Sequence, residues 1–200
     1  MQRHVSPWWL GYLLACPLRR WAHDPAKILA PYVHEGATVL EPGPGMGFFT
    51  LPLARMVGAT GRVVAVDVEP RMLDALRRRA RKAGLLERVE IRLAQPDSLG
   101  LTDLSGQVDF ALAFAVVHEM PSAVSFFTEA GRTLKPGGRL LLAEPIGHVR
   151  APRFEAELAA AAEAGLQLED RPSIRRSRAA LLRKAYSSFG TLRTAPPVNR

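Results

Sequence analysis

Cysteine is nearly absent from these 200 residues. Cys16 stands alone, so no internal disulfide and no cysteine-built zinc cluster can form. Long apolar runs are missing too, and no stretch approaches the length of a membrane-crossing helix. Lysine is scarce: Lys27, Lys82, Lys135 and Lys184 are the only lysines among 27 basic residues. The net charge of +8 opens a nucleic-acid or anionic-surface reading. Coding bias toward arginine and alanine would leave the same signature, however. The densest cluster, "LRRRARK" from Leu76 to Lys82, alternates with apolar residues as the solvated face of an amphipathic helix does. Internal repeats, linkers and a second composition zone are also missing. What remains is a chain 48% apolar and 23% charged, suited to one domain with a full core.

The first residues, "MQRHVSPWWLGYLLAC", loosely imitate an export signal. Pro7, Trp8, Trp9 and Tyr12 make a poor signal core and Pro17 follows the cysteine, so a cytoplasmic location is expected. Residues 1–23 read instead as an aromatic arm. Trp8, Trp9 and Tyr12 are costly to leave wet and would either pack on the domain or close over a cleft as a lid. The domain itself is expected over residues 24–185. The tail from 186 to 200 lacks periodicity and is expected to be loose.

Within the domain, strands and helices alternate. Asp24 and Pro25 open a helix. Ala37–Glu41 is strand-like, Phe48–Val57 helical and Gly61–Asp67 β-branched throughout. "EPRMLDALRRRARKAG" is a helix opened by proline and closed by Gly84. "RVEIRLA" and Val108–Phe114 are further strands, and Pro121–Leu134 is a helix. "KPGG" is read as a turn, Arg139–Glu144 as a fifth strand, and a last helix precedes two closing strands. The pattern predicts an α/β fold of the doubly wound, Rossmann-like kind: a mostly parallel sheet with helices on both faces.

In such sheets ligands sit beyond the carboxyl ends of the strands, where the strand order reverses. The loop "EPGPGMG" falls there. Gly43, Gly45 and Gly47 run G-x-G-x-G, whereas a dinucleotide fingerprint needs G-x-G-x-x-G, and no Gly-Lys-Ser or Gly-Lys-Thr follows. Glu41, two residues ahead of the first glycine, would repel a pyrophosphate but suits a ligand with an ammonium and a sulfonium. Asp67 at the end of the second strand can accept from both ribose hydroxyls, a logic shared with NAD sites. Asp97 with Ser98 meets an adenine edge or is an ordinary polar turn.

Five segments in order, "VLEPGPGMG", "GRVVAVDVEPRML", "AQPDS", "DFALAFAVVHEM" and "LKPGGRLLLAEP", resemble the successive motifs of class I S-adenosylmethionine-dependent methyltransferases. The resemblance covers about Thr38 to Glu144 and implies a seven-stranded sheet with a reversed hairpin at one edge. It implies S-adenosyl-L-methionine as cofactor. Glu41 would lie near the methionine amine, and Gly43, Gly45 and Gly47 would line its approach. Asp67 would hold the ribose, Val68 would pack on adenine, Asp97 would face its amine, and Ala115 would lie near the cofactor.

Methyl transfer from a sulfonium is an in-line displacement that needs no metal, and a base only when the nucleophile arrives protonated. His118 and His148, after the fourth and fifth strands, are the candidates for acceptor contact or base; each has an alternative as a local structural or merely exposed histidine. Glu119 reads as a helix-start residue and Glu144 as a residue that orients a loop near the substrate. The glycine loop is also similar to that of ribosomal RNA adenine dimethyltransferases. Their Asn-Leu-Pro-Tyr after the fourth strand is replaced here by "FAVVHE", and an arsenic methyltransferase would need several cysteines. The expected acceptor is therefore a small molecule. An RNA or protein methyltransferase using the basic surface, and an NAD-dependent oxidoreductase or non-catalytic nucleotide-binding module, are the alternatives.

Overall fold

The computed structural model describes residues 23–186. The arm residues Trp8, Trp9 and Tyr12, Cys16, and the tail from residue 187 lie outside the described residues. Helix α1 is Pro25–Leu29, with the Asp24 carboxylate accepting the Ala26 N–H at 3.1 Å. Strand β1 (Thr38–Pro42) leads through the glycine loop to α2 (Thr50–Met56). Strand β2 (Arg62–Asp67), α3 (Pro70–Lys82) and β3 (Val89–Leu93) follow, then β4 (Val108–Phe114). Helix α4 is Ala123–Thr133, β5 is Leu134–Pro145, α5 is Ala151–Glu163, β6 is Leu166–Asp170 and β7 is Ser177–Lys184. Glu69 caps α3 ahead of Pro70, and Ser122 caps α4, each side chain accepting a first-turn N–H.

The seven strands lie in the order β3-β2-β1-β4-β5-β7-β6. Pairing is parallel from β3 across to β5, and β7 then runs antiparallel to both β5 and β6. The expected doubly wound sheet with a reversed hairpin is what forms. Strands β1, β2 and β4 are buried along nearly their whole length, as central strands covered on both faces must be. Alternate residues feed two cores. Val39, Val63, Ala65, Phe110 and Leu112 join the core shared with α1, α2 and α3. Leu40, Val64, Val66, Ala111 and Ala113 join the one shared with α4 and α5.

One boundary differs from the sequence reading. "KPGG" is not a turn between elements but part of β5, which runs unbroken from Leu134 to Pro145. The β4–β5 register shifts there, with Val108 opposite Leu134 and Phe110 opposite Arg139, and Gly137 takes a φ of +77°. The Pro-Gly-Gly run supplies a bulge, which keeps both flanks on the same partner strand.

Candidate functional site

Strand order reverses between β1 and β4, because β2 and β3 continue outward on one side and β5 on the other. The carboxyl ends of β1, β2, β4 and β5 all open at this edge, and each delivers a residue singled out from the sequence: Glu41, Asp67, Ala115 and Glu144.

On the β1–β2 side, Glu41 is buried at the end of β1, with 3% of its surface exposed. The Gly43 N–H donates to the Val66 carbonyl at 2.8 Å, stitching the loop onto β2. The three loop glycines all have left-handed φ, +67°, +52° and +84°, but they answer to different neighbours. A Cβ at Gly43 would meet Val116 Cγ2 at 2.7 Å, and one at Gly47 would meet Leu76 Cδ1 at 2.5 Å. These two glycines let the loop close against β4's continuation and against α3. A Cβ at Gly45 would meet nothing within 4 Å. Gly45 therefore borders open space, and its main chain also donates to the Asp67 carboxylate.

Asp67 takes further main-chain N–H bonds from Val68 and Glu69, the latter at 3.0 Å. Burial nonetheless pushes its carboxyl above the usual aspartate range, against these hydrogen bonds and with some help from the Glu119 charge. The loop has one support that the sequence reading assigned to solvent. Arg79, inside the "LRRRARK" cluster, turns in and donates to the Met46 carbonyl, while Arg77 and Arg78 face outward.

Val68, 43% exposed, lies just past the strand end. Asp97 and Ser98 sit in an exposed turn closed between Gln95 and Ser98. The Ser98 hydroxyl donates to Glu129 at 3.1 Å, and Glu129 also receives the Leu99 N–H.

The β4–β5 side is built from side chains. Ala115 leaves β4 with φ +56°, a left-handed conformation rare for a residue with a Cβ, and donates to the Ala143 carbonyl at 2.7 Å. The one-turn helix Val117–Glu119 follows. Glu144, fully buried at the end of β5, receives the Val117 N–H at 2.8 Å and the His118 N–H at 3.4 Å. It also pairs with His118 Nδ1. Glu144 thus orients the loop and the imidazole together.

An acceptor-only carboxylate on Nδ1 fixes the proton there and leaves Nε2 as the ring's free lone pair. That nitrogen lies 4.0 Å from Glu119 Oε1. Burial disfavours the imidazolium, and the Arg153 charge opposes it too. The hydrogen bond and charge of Glu144, aided by Glu119, outweigh both and raise the His118 pKa. The exposed His148 ring stands edge-on to His118, with centroids 5.6 Å apart. The structure therefore brings His118, His148, Glu119 and Glu144 together.

Sequence reasoning missed two contributors, Arg153 and Glu157 of α5. Arg153 donates to the His118 carbonyl at 2.7 Å. Glu157 is buried on the inner face of α5, with Oε1 3.7 Å from Arg153 Nε. Spaced four apart, they read in the sequence as an ordinary surface ion pair, and the burial of Glu157 is decided by what the helix packs on.

A buried acid, a left-handed main-chain turn bordering open space and a ribose-suited carboxylate form a cradle that fits a cationic adenosyl ligand. The Glu119 charge, which reaches Asp67, fits the same ligand charge. Among the described residues no helix is long and apolar enough to cross a membrane.

A family model described as a methyltransferase domain matches residues 40–142. An arsenite methyltransferase of Halobacterium salinarum is 34% identical over 111 residues, 56% of this chain and 28% of that protein. A ubiquinone/menaquinone biosynthesis C-methyltransferase of Salmonella arizonae is 36% identical over 114 residues, 56% of this chain and 44% of that protein. The chain thus spans less than half the length of these curated relatives. The structure of an S-adenosylmethionine-dependent methyltransferase from Aquifex aeolicus superposes with a TM-score of 0.77 at 27% identity, covering 89% of this chain and 97% of that one. A further structure from Methanococcus maripaludis, at 13% identity and a TM-score of 0.75, covers 94% of this chain and 99% of that one and shares the fold.

Proposed function

The chain belongs to the class I S-adenosylmethionine-dependent methyltransferase family, and from that premise we propose that it methylates a small molecule whose accepting atom arrives protonated. When bound, S-adenosylmethionine supplies an electrophilic methyl carbon. The work of this chain is to hold it, to place the acceptor and to receive a proton.

Glu41, the turn at Gly45 and Asp67 hold the cofactor. The acid at Glu41 matches the ammonium, and the Asp67 carboxylate accepts from the ribose hydroxyls. Val68 offers an apolar surface to the adenine, with Asp97 and Ser98 at its far edge. Across the cleft, His118 Nε2 takes the acceptor's proton, with Glu144 holding the ring in the required tautomer and favouring the imidazolium that results. His148 stands beside His118 and contacts the acceptor.

The observation that carries the reading is the His118–Glu144 pair. A buried carboxylate on Nδ1 is of little use to a structural histidine already held through its backbone N–H, and it makes Nε2 a better base. The acceptor is accordingly an alcohol, phenol, amine or carbon acid. Thiolates and arsenite need no such base, and Cys16 is the sole cysteine. The resemblance to an arsenite enzyme is therefore one of cofactor machinery.

Calorimetry with S-adenosylhomocysteine and with NAD tests the cofactor assignment. Binding of the first and not the second is expected; the reverse overturns it. A methyl-transfer screen over acceptors with and without an exchangeable proton tests the rest. His118→Ala should abolish turnover on the protonated class while leaving S-adenosylhomocysteine binding intact. Unchanged turnover reduces His118 to scaffolding.

A further inference from the structure

Most arginines near an acid in this fold are spoken for. Arg62 and Arg92 pair with Glu90, Arg77 pairs with Asp74, and Arg171 takes both oxygens of Glu155 at 2.8 and 2.9 Å. Arg78 and Arg81 face water on the exposed side of the amphipathic helix α3. Beside His118 the arrangement is different. Arg153 donates through Nη2 to the His118 carbonyl at 2.7 Å, and its Nε lies 3.7 Å from Glu157 Oε1. These two contacts use one edge of the guanidinium and fix its plane. Its Nη1 hydrogens and the outer hydrogen of Nη2 remain, on a side chain 54% exposed.

Arg178 approaches from β7. It stands across the ladder from Glu144, and its Nε donates to the Val149 carbonyl at 3.3 Å. Val149 follows His148, whose ring is edge-on to His118, and precedes the exposed Arg150. Among the described residues no carboxylate pairs with Arg150 or Arg178. Three arginines therefore gather at the segments that carry the two histidines. Tying down one carbonyl needs one N–H and does not account for the other two. The acids are placed otherwise: Glu144 is buried, and the Glu119 charge reaches Asp67. Ile146, 51% exposed in the loop that carries His148, adds an apolar surface.

We propose that the acceptor carries an oxyanion, a carboxylate or a phosphate, apart from the atom that is methylated, and that Arg153 binds it with help from Arg150 and Arg178. The inference rests on the reading of the β4–β5 side as the acceptor site. A guanidinium presents parallel N–H groups to two oxygens of such a group, so it orients the molecule as well as attracting it. Held at that end, a small acceptor has its other end free to meet His118 Nε2. The Arg153 charge works against the imidazolium, and a bound oxyanion offsets that opposition when the proton arrives.

Benzoate, phenyl phosphate and neutral benzamide are the probes. Each is titrated into the unaltered protein saturated with S-adenosylhomocysteine, followed by calorimetry and by the His118 and His148 ring signals in NMR. At least one anion should bind roughly tenfold more tightly than benzamide and shift both ring signals. Which anion does so identifies the oxyanion. Arg153→Gln should remove the preference and leave benzamide binding as it was, while Arg150→Gln and Arg178→Gln should each reduce the preference about two- to threefold. Arg78→Gln deletes the same charge from α3 and should change nothing. No preference for either anion, or ring signals that stay still, overturns the proposal. So does an equal loss in Arg78→Gln, or a loss of benzamide binding in Arg153→Gln that matches the loss of the anion. None of these outcomes touches S-adenosylhomocysteine binding or the turnover test of His118, so failure here is distinct from failure of the proposed function.

Discussion

On the β1–β2 side of the cleft the groups proposed to hold the cofactor are main chain and two carboxylates, all delivered by one strand–loop–helix–strand stretch. On the β4–β5 side the proposed proton acceptor is one side chain, His118 after β4, held from behind by the buried Glu144 at the end of β5. The first side depends on backbone conformation, with three left-handed glycines close together. The second depends on buried charge, with Glu144 and Glu157 both inside the protein. A backbone cradle recognises what every family member binds. A buried cluster of titratable groups can be retuned by one substitution, so the acceptor chemistry we propose is assigned to the β4–β5 side.

Substitutions should separate the two sides by what they damage. The largest effect is expected for Glu144→Ala. It removes the acceptor for two N–H groups and leaves His118 and its turn without their anchor. Breaking a buried pair of this kind costs about 3–5 kcal/mol, readable by chemical denaturation. Stability within 1 kcal/mol of the parent would mean that water replaces the carboxylate and that the pair is not a buried device.

Next come the loop glycines, which divide the β1–β2 side internally. Gly47→Ala meets the core residue Leu76 and a φ of +84°, and should lose about 2 kcal/mol of stability. Gly45→Ala has room for its methyl and should lose only about 1 kcal/mol. Its methyl stands in the space assigned to the ligand, so S-adenosylhomocysteine affinity should fall more than for Gly47→Ala. Equal affinities would remove Gly45 from the cradle.

Asp67 gives the contrast with Glu144 in its sharpest form. Because its folded pKa is raised, ionised Asp67 opposes folding at neutral pH, and the penalty is relieved as pH falls through the raised value. Asp67→Asn should therefore raise the melting temperature of the ligand-free protein, while weakening S-adenosylhomocysteine binding by about 1–3 kcal/mol. In the parent, affinity should drop on acidification sooner than an ordinary aspartate would allow, since the protonated carboxyl accepts less well from a hydroxyl. A melting temperature lowered by Asp67→Asn would make the residue structural.

This division also explains what could be read from the sequence. Strand and helix placement, the switch point and the positions of Glu41, Asp67 and the glycines are local, so period and spacing reveal them. "KPGG" misled because Pro-Gly-Gly marks a bulge as readily as a turn, and only the partner strand decides. Arg79 was hidden among arginines that do face water; its turn toward Met46 depends on how α3 sits against the loop. Glu157 was invisible for the same reason. Arg153 and Glu157 spaced four apart look like a surface pair, and burial by the sheet below is a tertiary fact.

The smallest effect concerns the hinge between the two sides. Ala115 holds a φ of +56° at the end of β4, where a Cβ costs about 1 kcal/mol that glycine would not. Ala115→Gly should therefore stabilise the ligand-free protein by about 1 kcal/mol, or slightly less after the added freedom of the unfolded chain. If its methyl helps to wall the cofactor space, that gain should come with weaker S-adenosylhomocysteine binding, and turnover on a good acceptor should fall in step with occupancy. A gain in stability with affinity unchanged would make the left-handed alanine a strained connector only. The wall between cofactor and acceptor would then be left to Val116 and the His118 turn.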